Sequence, residues 1–176
     1  MSRIDIPDGD GLERSRLWFM QPDVGKGIGI TGNALYTKVS LDTRVREVAR
    51  MRIAQINDCH ICLDTRSASA MQQGLDDDLY HRVAEYSEIG AFSKEEKLAA
   101  ELAERFVFDH VALRSDEAFW QRMKSSFSDQ QILELLSLIG FCLGVGRLLA
   151  VLDVANDCPI NLTADPGEDP SFYAHG

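Results

Sequence analysis

The chain has 176 residues, 45% of them hydrophobic and 26% charged, which suits one globular domain with a real core and excludes a disordered or fibrous chain. Its net charge of −10 argues against a nucleic-acid partner or an anionic membrane surface, because both require clustered Lys and Arg. The opening stretch, Met1 to Gly11, is polar and acidic, so no signal peptide is expected; nor does any apolar run approach the roughly 20 residues a membrane helix needs, and a cytoplasmic location follows by default.

In chain order, Met1 to Leu12 reads as a loose arm, and Leu17, Trp18 and Phe19 are expected to pack on the body. Pro22 to Lys38 is weakly helical, its glycines lowering helix propensity. A clearer helix follows, capped by Asp42 or Thr43, with Val45, Val48, Ala49, Ile53 and Ile56 recurring at three- and four-residue steps. Asn57-Asp58 breaks it. The next helix is expected from Cys59 or His60 to about Gln73, with Asp58 as N-cap and Gly74 as its stop. Asp76 to Asp78 start a helix through Tyr86. Ser93 with Glu96 forms a capping box that opens a helix to about His110, and Ser115-Asp116 opens another through Phe127. A second box, Ser128 with Gln131, begins a long helix, Ile132 to about Val154, apolar on most faces and so expected to be central or at a subunit interface. No segment alternates like a strand. The expected architecture is all-α, with about seven or eight helices: an arm over 1–20, a helical domain over 21–157 and a tail over 158–176.

Four cysteines, Cys59, Cys62, Cys142 and Cys158, are too few for a disulfide scaffold in a chain this long. Cys142 suits core packing and Cys158 a tail thiol. Cys59 and Cys62 form a Cys-x-x-Cys at an expected helix start, where the spacing brings the sulfurs within bonding reach and unpaired N–H groups favour a thiolate. Asp58 and Asp64 oppose that effect. The plain alternative is two small buried hydrophobes. Zinc would need four ligands, and no second close Cys or His pair is present, so neither metal nor cofactor is expected. Glu47, on the helix leading into the pair, could fold back to accept a thiol proton; equally it could be a solvated residue or an ion-pair partner of Arg50.

The stretch from Leu41 to Gly74 resembles the carboxymuconolactone decarboxylase / alkylhydroperoxidase-D-like superfamily. The redox branch of that superfamily carries a Glu, eleven residues, Cys-x-x-Cys, three residues and a His; Glu47, Cys59 and Cys62 fall on this pattern. The runs Phe92 to Leu98 and Phe127 to Leu135 are similar too, so the likeness spans roughly residues 20 to 155. One position departs. The expected His is Arg66, which cannot relay protons but could favour a thiolate, form an ion pair or bind an anion. His60, between the cysteines, could take over part of the relay or point to solvent.

The resemblance implies a helical, oligomeric protein that reduces organic hydroperoxides. Cys62 would attack the peroxide, Cys59 would resolve the product as a disulfide, an external dithiol donor would reduce that disulfide, and Glu47 would help deprotonate the thiols. A homo-oligomer, trimer, hexamer or dimer, is the expected assembly. Two alternatives stay open: a lyase acting on a carboxylated lactone, with Arg66 as anion anchor, and a non-enzymatic redox-sensing oligomer.

Overall fold

The helix that leads into the cysteine pair is also the helix around which the molecule is built. In the computed structural model, which describes residues 2–88 and 90–155, ten α-helices and one 3-10 turn make up the regular structure, with no β-strand among the described residues. Helices α1 (Glu13–Phe19) and α2 (Pro22–Thr37) precede α3 (Thr43–Asn57). The Asp42 carboxylate caps α3 by accepting from the N–H groups of Arg44 and Val45, at 2.9 and 3.4 Å. Asp58, in the left-handed region at φ 50°, ends it.

Small and branched residues line α3 on opposite faces. Val45, Ala49 and Ile53 join a core with Leu98, Leu102 and Ala103 of α7 (Lys94–Phe108) and Leu135, Leu138 and Ile139 of α10 (Asp129–Val151). Val48, Met51 and Ala54 join a second core with Leu75, Tyr80, Val83 and Phe92. Each fully buried Leu or Ile here contributes about 1.5–3 kcal/mol. Both capping boxes form as expected: Ser93 with Glu96 opens α7, and Ser128 with Gln131 opens α10. Gly74, at φ 83°, turns the chain after α5.

The all-α expectation holds, but the helix count is higher because the expected 59–73 helix is cut in two and a short helix, α8 (His110–Arg114), forms where none was expected. The single helix expected from Cys59 or His60 to Gln73 is two five-residue helices, α4 (His60–Asp64) and α5 (Ala68–Gln72). Between them Thr65 is extended, at ψ 129°. Asp58 does not cap α4; Cys59 does, while Asp58 terminates α3. Downstream, α6 (Asp77–Arg82) tightens into the 3-10 turn Val83–Glu85. Asp109 ends α7 before α8 (His110–Arg114), and α9 (Glu117–Ser126) leads to α10.

Two expectations about exposure change. Leu17 is buried, but Phe19 is 46% exposed. At 23 residues α10 is long and apolar enough to cross a bilayer by length and composition, contrary to the reading that no such run exists. It nonetheless packs as a core helix through Ile132, Leu135, Leu138, Ile139 and Leu149, and its Glu134 and Arg147 bond back to Ser40 and Asn57. Its other face leaves Leu133, Leu148 and Val151 exposed. The tail over 158–176, with Cys158, lies outside the described residues.

Candidate active site

α4 begins at the cysteines because Cys59 stands at its N-cap, with the Cys62 N–H directed at the Cys59 sulfur, 3.3 Å away. The two cysteines are disulfide-bonded, their Cα atoms 5.2 Å apart, inside the usual range for such a bond. Cys59 is buried in a small cluster with Leu17, Ile61, Leu149 and Val154. Cys62 is the more open of the pair.

Arg50 explains why α4 stops. From one turn down α3 its guanidinium donates to the carbonyls of Cys62 and Thr65, at 2.7 and 3.0 Å. A continuing helix would have used those carbonyls itself. The Arg50 Nε donates to Glu47 Oε2 at 2.9 Å. The Tyr80 hydroxyl donates to the same oxygen, also at 2.9 Å. Glu47 is wholly buried, and its other oxygen, Oε1, has no hydrogen-bond partner among the described residues; Arg46 Nε stands 3.8 Å from it. A buried carboxylate oxygen with a free lone pair is a ready proton acceptor. One guanidinium thus joins this acceptor to the backbone of Cys62 and of Thr65, three residues further on.

The charges are balanced by burial and pairing. Burial works against the Arg50 charge, but Glu47 and then Tyr36 more than offset it, so Arg50 holds its proton more firmly than usual. Burial, followed by the charge of Glu47, keeps the Tyr80 phenol protonated well above its ordinary range.

Arg66, standing where a His was expected, turns away from the sulfurs. It donates to Asp77 Oδ1 at 2.6 Å and to the carbonyls of Leu63 and Thr65, and lies over the Tyr80 ring, 4.6 Å from its centroid. It reaches Glu47 only through Tyr80. His60 is exposed and sits on the far side of the pair. The structure therefore groups Cys59, Cys62 and Glu47 around Arg50, and leaves His60 and Arg66 at the margins.

Two openings meet at the cysteines. Cys62 lines a cavity of about 140 Å³ walled by Trp18, Ile28, Phe141, Val145 and Leu149, with Tyr36 and Cys142 also facing it. Burial pushes the Cys142 thiol up to about 12. Gly146 closes one wall; a Cβ there would stand 3.3 Å from the Cys62 sulfur and 2.9 Å from Asn57 Nδ2. Cys59 lines a polar groove of about 470 Å³ with Asn57, Asp58, His60, Arg147 and Asp153. Arg50, Tyr36 and Tyr80 were not among the residues the sequence singled out as a site; the three-residue step from Glu47 to Arg50 was the available signal for the first.

Comparison with known proteins places the fold and the family. The uncharacterised protein YnjA of Escherichia coli is 30% identical over 147 residues, covering 83% of this chain and 80% of that one. An Agrobacterium tumefaciens protein described as a putative antioxidant defence protein AhpD superposes with a TM-score of 0.70, at 15% identity, over 92% of this chain and all of that one. The debrominase Bmp8, solved as a cysteine-to-alanine variant in complex with 2,3,4-tribromopyrrole, superposes with a TM-score of 0.66, at 15% identity, over 86% and 80% of the two chains. The relatives of this fold thus include enzymes, and a disulfide-bonded Cys pair beside a buried carboxylate is compatible with redox chemistry. The family model for carboxymuconolactone decarboxylases matches residues 22–105, and with the likeness to YnjA it shows that the chain belongs to the carboxymuconolactone decarboxylase family.

Proposed function

We propose that the protein is a thiol-dependent peroxidase that reduces organic hydroperoxides through a Cys59/Cys62 dithiol–disulfide cycle. The observation that carries this reading is that Cys62 stands at the wall of an apolar cavity while bonded to Cys59 behind it. In the reduced protein, Glu47 accepts the Cys62 proton, directly or through water. The thiolate attacks the peroxide, forming an S–O bond as the O–O bond breaks, and yields an alcohol and a sulfenic acid. The Cys59 thiol then displaces water from that sulfenic acid to form the disulfide. An external dithiol reduces the disulfide by exchange and leaves as its own disulfide. The polar groove at Cys59 is the wider opening and suits that donor. A reducing compartment such as the cytoplasm would supply it.

The apolar faces of α2 and α10, with Val24, Ile30, Leu148 and Val151 exposed, suit a homo-oligomer. The lyase reading has less support: its anion anchor, Arg66, is committed to Asp77 and Tyr80 and does not line the cavity. The same compact apolar cavity supports a second reading, debromination of a small brominated aromatic, the debrominase having been solved with 2,3,4-tribromopyrrole.

The test is hydroperoxide consumption with dithiothreitol as donor, in the wild type and in Cys62→Ser. Consumption by the wild type that vanishes in the variant is expected. A wild type inert to several alkyl and aryl hydroperoxides counts against the peroxidase, and turnover of a brominated pyrrole in the same assay favours the second reading.

A further inference from the structure

Breaking an O–O bond leaves an alkoxide, which needs a proton, and neither Arg66, at the position of the expected His, nor His60 faces the cavity. Arg66 is held by Asp77 and Tyr80, and His60 lies on the groove side of the disulfide. The polar groups that do line the cavity are mostly committed. Arg50 is used by Glu47 and two backbone carbonyls. The Thr65 hydroxyl donates to the Ile61 carbonyl at 2.8 Å. Arg14 has a partner of its own.

Tyr36 differs. Its ring is fixed from one side, with the Arg46 guanidinium 4.7 Å from the centroid and Arg46 Nη1 donating to the Tyr36 carbonyl at 2.9 Å. Its hydroxyl has no hydrogen-bond partner among the described residues, and the residue lines the cavity together with Cys62.

We propose that Tyr36 is a further catalytic residue, its hydroxyl donating a hydrogen bond and then its proton to the leaving oxygen of a compact, uncharged organic hydroperoxide bound against Cys62. This rests on the reading of Cys62 as the peroxide-attacking thiolate. Burial, and after it the charge of Glu47, raises the Tyr36 phenol well above its ordinary value, so at neutral pH it is present as the O–H form.

The Cys62 sulfur pair forms the S–O bond, the O–O pair departs with the alkoxide, and the alkoxide takes the Tyr36 proton. The tyrosinate regains the proton that Glu47 removed from the Cys62 thiol. Cys62 is oxidised by two electrons to the sulfenic acid, and the hydroperoxide is reduced to alcohol and transferred oxygen. The cavity is close in size to one of about 150 Å³ that takes a benzene ring. With its cations committed, it favours uncharged substrates over carboxylated ones.

The test is single-turnover formation of the Cys59–Cys62 disulfide in the full-length protein, using tert-butyl hydroperoxide and, in parallel, peracetic acid, whose leaving carboxylate needs no proton. Tyr36→Phe should slow the alkyl hydroperoxide reaction about 100-fold and the peracid reaction by less than about fivefold, on the scale of one lost proton donor. Alkylation of the reduced pair by iodoacetamide should be unchanged. Equal losses with both oxidants, or no loss with either, overturn the assignment. A wild type that forms no disulfide with either oxidant overturns the peroxidase reading and this one with it. A second measurement needs no variant: across hydroperoxides of graded leaving-group acidity the wild-type rate should change little, and a steep dependence overturns the role of Tyr36.

Discussion

On one side of the Cys59–Cys62 bond lies a cavity of about 140 Å³ with aromatic and aliphatic walls; on the other lies a groove of about 470 Å³ lined by Asn57, Asp58, His60, Arg147 and Asp153. Three positions along the chain separate the two sulfurs, yet they meet unlike surroundings. The cause is local. Cys59 occupies the N-cap with extended backbone, while Cys62 sits inside the first turn, against α10 where Gly146 leaves room. The bonded pair therefore sets one sulfur at the wall of the apolar cavity and keeps the other buried beside the polar groove.

Single replacements of the sulfurs test that separation most severely. Cys62→Ser should abolish peroxide consumption. Cys59→Ser should still consume one equivalent and stop as a sulfenic acid, seen as a dimedone adduct on Cys62 by mass spectrometry. An adduct on Cys59 in Cys62→Ser would reverse the assignment of the two sides.

Glu47→Gln comes next. It leaves the Arg50 charge buried without its partner, which typically costs about 3–5 kcal/mol. The same change should lower peroxide turnover by at least about 100-fold. A urea titration and a steady-state assay on one sample check both.

Gly146→Ala adds a methyl 2.9 Å from Asn57 Nδ2 and 3.3 Å from the Cys62 sulfur. Overpacking of this kind costs about 1–3 kcal/mol. It should slow the peroxide step while leaving reduction by dithiothreitol within about twofold, since the added volume lies on the cavity side. Stopped-flow measurement of the two half-reactions separates them.

His60→Ala should do the converse on a smaller scale, changing reduction by an external dithiol a few-fold and the peroxide step not at all. Smallest of all is the expected behaviour of Cys142. Its thiol, pushed up to about 12 by burial, should stay unalkylated at pH 8 while the reduced pair reacts, because on the order of one molecule in ten thousand carries the thiolate. Peptide mapping after iodoacetamide would show this, and alkylation of Cys142 at a rate similar to Cys62 would contradict it.

Much of this frame was legible in the chain. The boxes at Ser93 and Ser128 and the cap at Asp42 are local devices, complete within four residues, and they form as read. The break of the expected 59–73 helix is not local. It depends on Arg50, 12 and 15 residues from the carbonyls it takes, and no periodicity records that competition. The central place of α3 was hidden for a related reason. Arg46, Glu47 and Arg50 look like a solvated face, and they are buried because each has partners. Tyr80 meets Glu47 across 33 positions, a contact that only the packing of α6 onto α3 creates. Arg66 was visible as a departure from the expected His, but its attachment to Asp77 and Tyr80 was not.

The grip of Arg50 on both Glu47 and the Cys62 carbonyl has one more consequence. The Glu47 carboxylate and the Arg50 guanidinium form a buried ion pair of opposite charges. If Glu47 takes a thiol proton, as proposed above, the carboxylate charge is lost, whereas Arg50, which holds its own proton more firmly than usual, keeps its charge. The guanidinium fixed to the Cys62 backbone is then an uncompensated cation beside a newly formed sulfur anion. On the proposed mechanism, the proton transfer that makes the thiolate would thus also uncover its counterion.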